Sequence, residues 1–166
     1  MNLVIEPVGP HHFEGLRHAL DTVAREKRFL VFTEAPPAEE CRQFFQSIID
    51  RGDTQLVALQ GGSVVGWCDV LTGHGQGRQH AGTLGIGLLP SARHRGIGAQ
   101  LMRATIDAAW SRGLTRIELT VRVGNDNAKA LYERMGFVEE GLRRQDIRID
   151  GCYHDSHAMA LLRPPQ

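Results

Sequence analysis

Lysine is nearly missing from this sequence. Lys27 and Lys129 are the only two, so the basic charge is almost all arginine, and 19 basic residues are matched by 19 acidic ones. A net charge of zero argues against a dedicated nucleic-acid binder, which needs a surplus of positive charge. Long apolar runs are missing as well: nothing approaches the ~20 apolar residues of a membrane-spanning helix. The opening "MNLVIEPVGP" has no basic segment followed by an apolar core, so the expectation is a cytoplasmic chain with neither membrane nor nucleic-acid partners. Cysteine is scarce. Cys41, Cys68 and Cys152 are odd in number and scattered without CxxC spacing, which reads as reduced thiols serving as small buried hydrophobes rather than a disulfide framework.

What is present is an ordinary globular composition, 42% hydrophobic against 23% charged, with no repeat or linker to divide it, so residues 1–166 are expected to form a single domain. After a short strand at residues 2–7, Phe13, Leu16, Leu20 and Val23 recur at helical spacing. Pro36 and Pro37 precede a second helix with Cys41, Phe44, Phe45, Ile48 and Ile49 on its buried stripe. "TQLVALQ" and "SVVGWCDVL", joined through Gly61 and Gly62, read as a hairpin. The glycine-rich "TGHGQGRQ" leads into a strand, "AGTLGIGLLP". A helix then runs from Gly98 to a C-cap at Gly113, and "RIELTVRV", residues 116–123, alternates as a strand with one polar face. Asn125 is placed to cap a helix carrying Ala128, Leu131, Tyr132 and Met135, which ends at Gly136. Two strands around an Asp150-Gly151 turn close the chain. The order β-α-α-β-β-β-α-β-α-β-β predicts an α/β fold with a mixed sheet.

One segment carries chemistry. "SARHRGIGAQLM", residues 91–102, places Arg93 and Arg95 beside Gly96 and Gly98 where a strand hands over to a helix. Such a turn aims backbone N–H groups and the positive end of the helix macrodipole at whatever lies before it, so it suits an anion, and phosphate in particular. A P-loop would continue with GK[ST], whereas Ala99 and Gln100 follow here. A dinucleotide fingerprint needs a third glycine that "GIGAQL" lacks.

"RHRGIG" matches the R-x-x-G-x-G/A signature of the GNAT superfamily of acyl-CoA N-acyltransferases, and "NDNAKALYERMGF" resembles its second motif, N-x-x-A-x-x-L-Y-x-x-x-G-F. The element order resembles the GNAT fold over essentially the whole chain, with fourth and fifth strands that splay apart. The resemblance implies acetyl-CoA as cofactor. It implies that Arg93, His94, Arg95, Gly96, Ile97, Gly98 and Ala99 wrap the pyrophosphate, that a bulge in the preceding strand, compatible with Gly85 and Gly87, opens backbone groups to the pantetheine arm, and that an N–H near Leu88 polarises the thioester carbonyl. Asn125 is implied to contact the cofactor arm and Tyr132 to act as general acid. A homodimer is expected by analogy.

Acyl transfer to an amine requires that the amine lose a proton, that developing oxyanion charge be stabilised and that the departing thiolate gain a proton. The base is open. Many small-molecule members place a glutamate where Thr83 stands, and threonine is no base. Glu118, on the polar face of its strand, is the candidate kept as catalytic, with an ion pair to a neighbouring arginine as its competing role. Glu34 and His80 are weaker alternatives, and water relayed from Thr83, Glu118 or a backbone carbonyl is another. Glu34, Phe32, Trp67, Asp69 and Thr83 are candidates for lining the acceptor pocket. His154 and His157 fall on opposite sides of a strand, and no metal site is expected. The leading expectation is N-acetylation of a small primary amine, an amino acid or similar compound. The alternatives are acetylation of a protein N-terminus, as by ribosomal-protein acetyltransferases, and a non-catalytic coenzyme-A sensor.

Overall fold

Helical periodicity and the punctuation of glycine and proline set the elements of this chain, whose computed structural model describes residues 2–166. Strand β1 (Leu3–Pro7) is followed by α1 (Phe13–Arg25), which buries Leu16, Ala19 and Val23, and by α2 (Ala38–Arg51), which buries Cys41, Phe45 and Ile48. Pro37 precedes the first turn of α2, and Gly52, in the left-handed conformation at φ +69°, ends it. The hairpin of β2 (Thr54–Gln60) and β3 (Ser63–Thr72) turns on Gly61 and Gly62, both at positive φ. Then come β4 (Ala81–Leu88), α3 (Ile97–Ser111), β5 (Arg116–Arg122), α4 (Asp126–Arg134), β6 (Val138–Ile149) and β7 (Cys152–Leu162), the last two joined at Asp150 and Gly151.

The strands form one seven-stranded sheet in the order β1-β2-β3-β4-β5-β7-β6. Its single parallel pair, β4 with β5, is the one joined through a crossover helix, α3; a crossover of that kind is what parallel pairing requires. One face packs against α1 and α2, with Phe45, Val57 and Trp67 in that core; the other packs against α3 and α4, where Leu101, Met102, Ile117 and Phe137 are buried. The GNAT-like architecture expected from the sequence is present.

The feature that positions a site is the failure of that parallel pair. β4 and β5 are in register only at Ala81, Gly82 and Thr83 against Arg116, Ile117 and Glu118. Beyond them the strands part. Leu89 donates its N–H to the Val65 carbonyl and Gly73 to the Ala81 carbonyl, so the odd-numbered residues of β4 bond to β3. By the alternation of an antiparallel ladder, Leu84, Ile86 and Leu88 turn their backbone groups toward the gap.

The expected bulge in β4 is not there. The β3–β4 ladder runs unbroken from Gly66 opposite Leu88 to Thr72 opposite Gly82, and the register shift lies one strand over, between Ala58 and Leu59 in the β2–β3 pairing. Gly85 and Gly87 have a packing reason instead. A Cβ on Gly87 would stand 2.2 Å from the Trp67 ring, and one on Gly85 would stand 3.2 Å from the Asp69 carboxylate. The reading of all three cysteines as buried also needs correcting: Cys41 and Cys68 are buried, but Cys152, at the tip of the last hairpin, is exposed.

Candidate active site

A cleft of about 920 Å³ fills the gap between the parted strands, lined by Ile86 to Leu88 of β4, the turn into α3, Thr120 to Arg122 of β5, and α4. Its floor is the N-terminus of α3. Gly96 holds φ +78° there, with His94 also at positive φ, and no side chain caps the helix and no acidic residue occupies its first turn. The N–H groups of Ile97, Gly98 and Ala99 are therefore left without intrahelical partners where the helix macrodipole is positive. The Ile97 side chain itself is buried in the core, so this residue offers the cleft only its backbone.

The arginines divide in a way the sequence could not indicate. Arg93 lines the cleft, but its guanidinium makes two bonds to Glu26 at 2.8 and 2.6 Å, donates to the Leu88 carbonyl at 3.1 Å and lies over the Phe29 ring. It ties the end of α1 to the phosphate-type turn. Glu26 in turn is held below the usual carboxylate range by that guanidinium. Arg95 is exposed, reaches only the Ser91 carbonyl and lies outside the cleft lining. Arg28, Arg122 and Arg134, none of them singled out by a motif, line it instead. Asn125 lines it too, and although it stands at the N-cap of α4 its side chain makes no capping bond.

Tyr132 of α4 also lines the cleft, at 8% exposure, and its phenol has no hydrogen-bond partner among the described residues. Burial pushes the phenol up from its ordinary range, so it stays protonated at neutral pH and can donate.

A second cavity, about 420 Å³, lies between the sheet and the helical layer of α1 and α2, and Ile86 of β4 lines both. Of the acceptor-pocket candidates, Phe32, Trp67 and Asp69 line it, whereas Glu34 and Thr83 do not. Glu34 is exposed and faces Arg25 at 3.4 Å; Thr83 is exposed at the last position of β4 paired with β5. Asp69 is the exceptional group. Burial, reinforced by the charge of Asp53, pushes its carboxyl up to about 7, despite a 3.2 Å hydrogen bond from Gln55 Nε2 and the Gly85 amide beside it. A carboxyl that titrates near neutrality in a cavity is suited to proton abstraction.

Glu118 is engaged elsewhere. Both its oxygens are taken, one by Arg78 and the other by Arg116 Nε at 2.9 Å, and it lines neither cavity. Arg116 is shared with Glu140, so the polar face of β5 is an ion-pair network at its N-terminal half. Glu118→Gln is accordingly expected to leave turnover within about twofold of the parent, since exposed ion pairs contribute little; a loss of activity without loss of fold, read by circular dichroism alongside the assay, would return Glu118 to the base role. His80 is exposed at the entrance to β4 and lines neither cavity.

Glu6, His11 and His12 cluster closely enough to suggest a cation site, but the hydrogen bonds argue otherwise. His12 Nδ1 accepts from the Gly9 N–H at 2.9 Å, which puts the ring proton on Nε2, donated to Glu6 at 2.8 Å. Neither nitrogen then keeps a lone pair for an ion.

Similarity to known proteins points the same way as the geometry. Residues 18–137 match the model of the "Acetyltransferase (GNAT) family". The chain is 35% identical over 121 residues to the L-amino acid N-acetyltransferase AaaT of Escherichia coli K12, covering 71% of this chain and 74% of that one. It is 42% identical over 74 residues to the N-alpha-acetyltransferase RimI of Mycobacterium tuberculosis, 45% of this chain and 44% of the relative. Among solved structures, a GNAT phosphinothricin acetyltransferase from Sinorhizobium meliloti, in complex with AcCoA, superposes with a TM-score of 0.91 at 19% identity, over 98% of this chain and 89% of the other.

Proposed function

The chain belongs to the GNAT family of acetyltransferases, and from that premise we propose that it acetylates the primary amine of a small molecule held in the second cavity. The observation that carries this reading is the meeting of the two cavities at Ile86, with a neutral phenol lining one and a carboxyl of near-neutral pKa lining the other. The name of the Escherichia coli relative supports an amino acid or amino-acid-like compound as the acceptor class, and that of RimI supports a protein N-terminus.

The cleft fits acetyl-CoA. The uncapped N–H groups of Ile97, Gly98 and Ala99 suit the pyrophosphate, and Arg28 and Arg134 supply compensating charge, whereas the Arg122 guanidinium is turned to the Lys27 and Leu30 carbonyls. The backbone groups of β4 that turn into the gap suit the amides of the pantetheine arm. When bound, acetyl-CoA supplies an acetyl group activated as a thioester. Ile86 and Leu88 offer N–H groups where carbonyl charge develops, with Arg93 already occupying the Leu88 carbonyl. Asp69 takes the proton that the attacking amine must lose, and Tyr132 gives a proton to the departing sulfur. Cys68 plays no nucleophilic part: it is fully buried and burial pushes its thiol up, away from the reactive thiolate.

A thiol-release assay with acetyl-CoA and a panel of amines, run beside calorimetry of acetyl-CoA binding, tests the proposal. Tyr132→Phe should lower kcat by roughly 100-fold with unchanged acetyl-CoA affinity. Equal losses in both would assign Tyr132 to packing, and binding without release on any amine or peptide would make the chain a coenzyme-A sensor.

A further inference from the structure

The second cavity is built with an electrostatic bias that restricts what it can hold. Gln55, 4% exposed, lines its floor beside Asp69. Its Nε2 donates to Asp69 Oδ2, and its Oε1 is enclosed without a hydrogen-bond partner among the described residues. In this orientation the amide N–H group serves the ionised Asp69 carboxylate. That oxygen is closed off from the open part of the cavity, so the acceptor that an incoming primary amine meets there is the Asp69 carboxyl, which Gln55 holds in place.

The remaining walls are apolar. Leu20, Leu30, Phe45 and Trp67 enclose the cavity, and Val31, Phe32 and Phe44, at 69%, 47% and 46% exposure, stand at its mouth. Among the described residues, the charged ones in the lining are Asp69 and Glu40, the latter exposed on α2, and no arginine, lysine or histidine lines it. Arg17, which abuts the Cys41 thiol, donates to the Pro36 carbonyl at 3.1 Å and is not part of the wall. A free amino acid would carry its carboxylate into this space beside two acidic groups with no cation to receive it, and an unpaired buried charge is strongly disfavoured.

From the cavity we infer that the acceptor is a primary amine on an uncharged, apolar carrier, without a carboxylate next to the amine. The inference rests on the acetyltransferase reading of the same site and narrows its substrate class from amino acids to apolar amines such as arylalkylamines. Asp69, positioned by Gln55, receives the nitrogen, and the aromatic walls receive the carrier.

The test compares 2-phenylethylamine, L-phenylalanine and L-phenylalanine methyl ester as acceptors with acetyl-CoA, beside a short peptide with a free N-terminus. The amine and the ester should be acetylated with kcat/KM at least about 100-fold above free phenylalanine. Gln55→Leu should raise KM for 2-phenylethylamine while acetyl-CoA affinity stays unchanged. Free phenylalanine turned over as well as the amine would overturn the inference and leave the acetyltransferase reading standing; so would turnover of the peptide alone. If no acceptor releases thiol, calorimetry without turnover decides the inference separately. Binding of 2-phenylethylamine that exceeds that of phenylalanine and is weakened by Gln55→Leu upholds it, and no preference between the two overturns it.

Discussion

Asp69→Asn is expected to lower kcat by about 100- to 10,000-fold, with acetyl-CoA affinity unchanged and the protein still folded. Asparagine keeps the shape and can accept from either Gln55 Nε2 or the Gly85 N–H, but it cannot accept the proton of an amine. In the parent protein kcat/KM should rise with pH through an acidic limb near 7, where the Asp69 carboxyl titrates, and that limb should vanish in the variant. A variant with parental kcat would remove Asp69 from the chemistry and leave the proton to a water relay.

The same group predicts a stability signature that does not depend on turnover. Because the folded carboxyl is raised to about 7, above its ordinary range, the folded state binds more protons than the unfolded state from about pH 4 to pH 7. The contribution of Asp69 to stability therefore falls as pH rises through that window. Asp69→Asn should melt higher than the parent at pH 8, by on the order of 2 to 4 kcal/mol of stability, with the advantage gone near pH 4. Thermal melts at the two pH values check this. A destabilising substitution at pH 8 would mean that the carboxylate is paired in the folded protein.

Gly96→Val is expected to weaken acetyl-CoA binding by at least about 100-fold, which corresponds to ~2.7 kcal/mol and is within reach of one or two lost charge-assisted hydrogen bonds. A Cβ at this position meets nothing within 4 Å, so protein packing does not forbid it. The backbone does. At φ +78° a β-branched side chain is strained, and relief of that strain would re-aim the N–H groups of Ile97, Gly98 and Ala99. Gly96→Asn, which tolerates the left-handed region, should keep much more of the affinity. If the two variants lose binding equally, crowding of the ligand is the cause; if valine binds normally, the turn is not the pyrophosphate site.

Much of the molecule was legible because its signals are local. Gly52, Gly136 and the Asp150-Gly151 pair mark element ends by backbone conformations that few other residues adopt. The repeats of apolar residues in 13–25 and 116–122 declare helix and strand by period alone. The turn into α3 and the Asn125 to Tyr132 segment each lie within a few consecutive residues, so they could be recognised as motifs. Strand β4 was legible as an element, but its bulge was not there, because the small residues that permit a bulge also permit the close approach of Trp67 and Asp69.

What the sequence by itself determined, then, is the order of the elements, the glycine turn into α3 and the place of Tyr132 on α4, all set by interactions within a short stretch of chain. The tertiary structure decided which charges are free. Arg93 stands in the motif as a phosphate ligand and is bound by Glu26, 67 residues away; Glu118 stands as a base and is bound by Arg78, 40 residues away. Asp69 and Gln55 are 14 positions apart and are hydrogen-bonded at the cavity only because β2 and β3 register opposite each other beneath α1 and α2. Proton affinity and pairing are properties of an environment assembled from distant parts of the chain, and a carboxylate in sequence acquires its chemistry only when burial and neighbours are fixed.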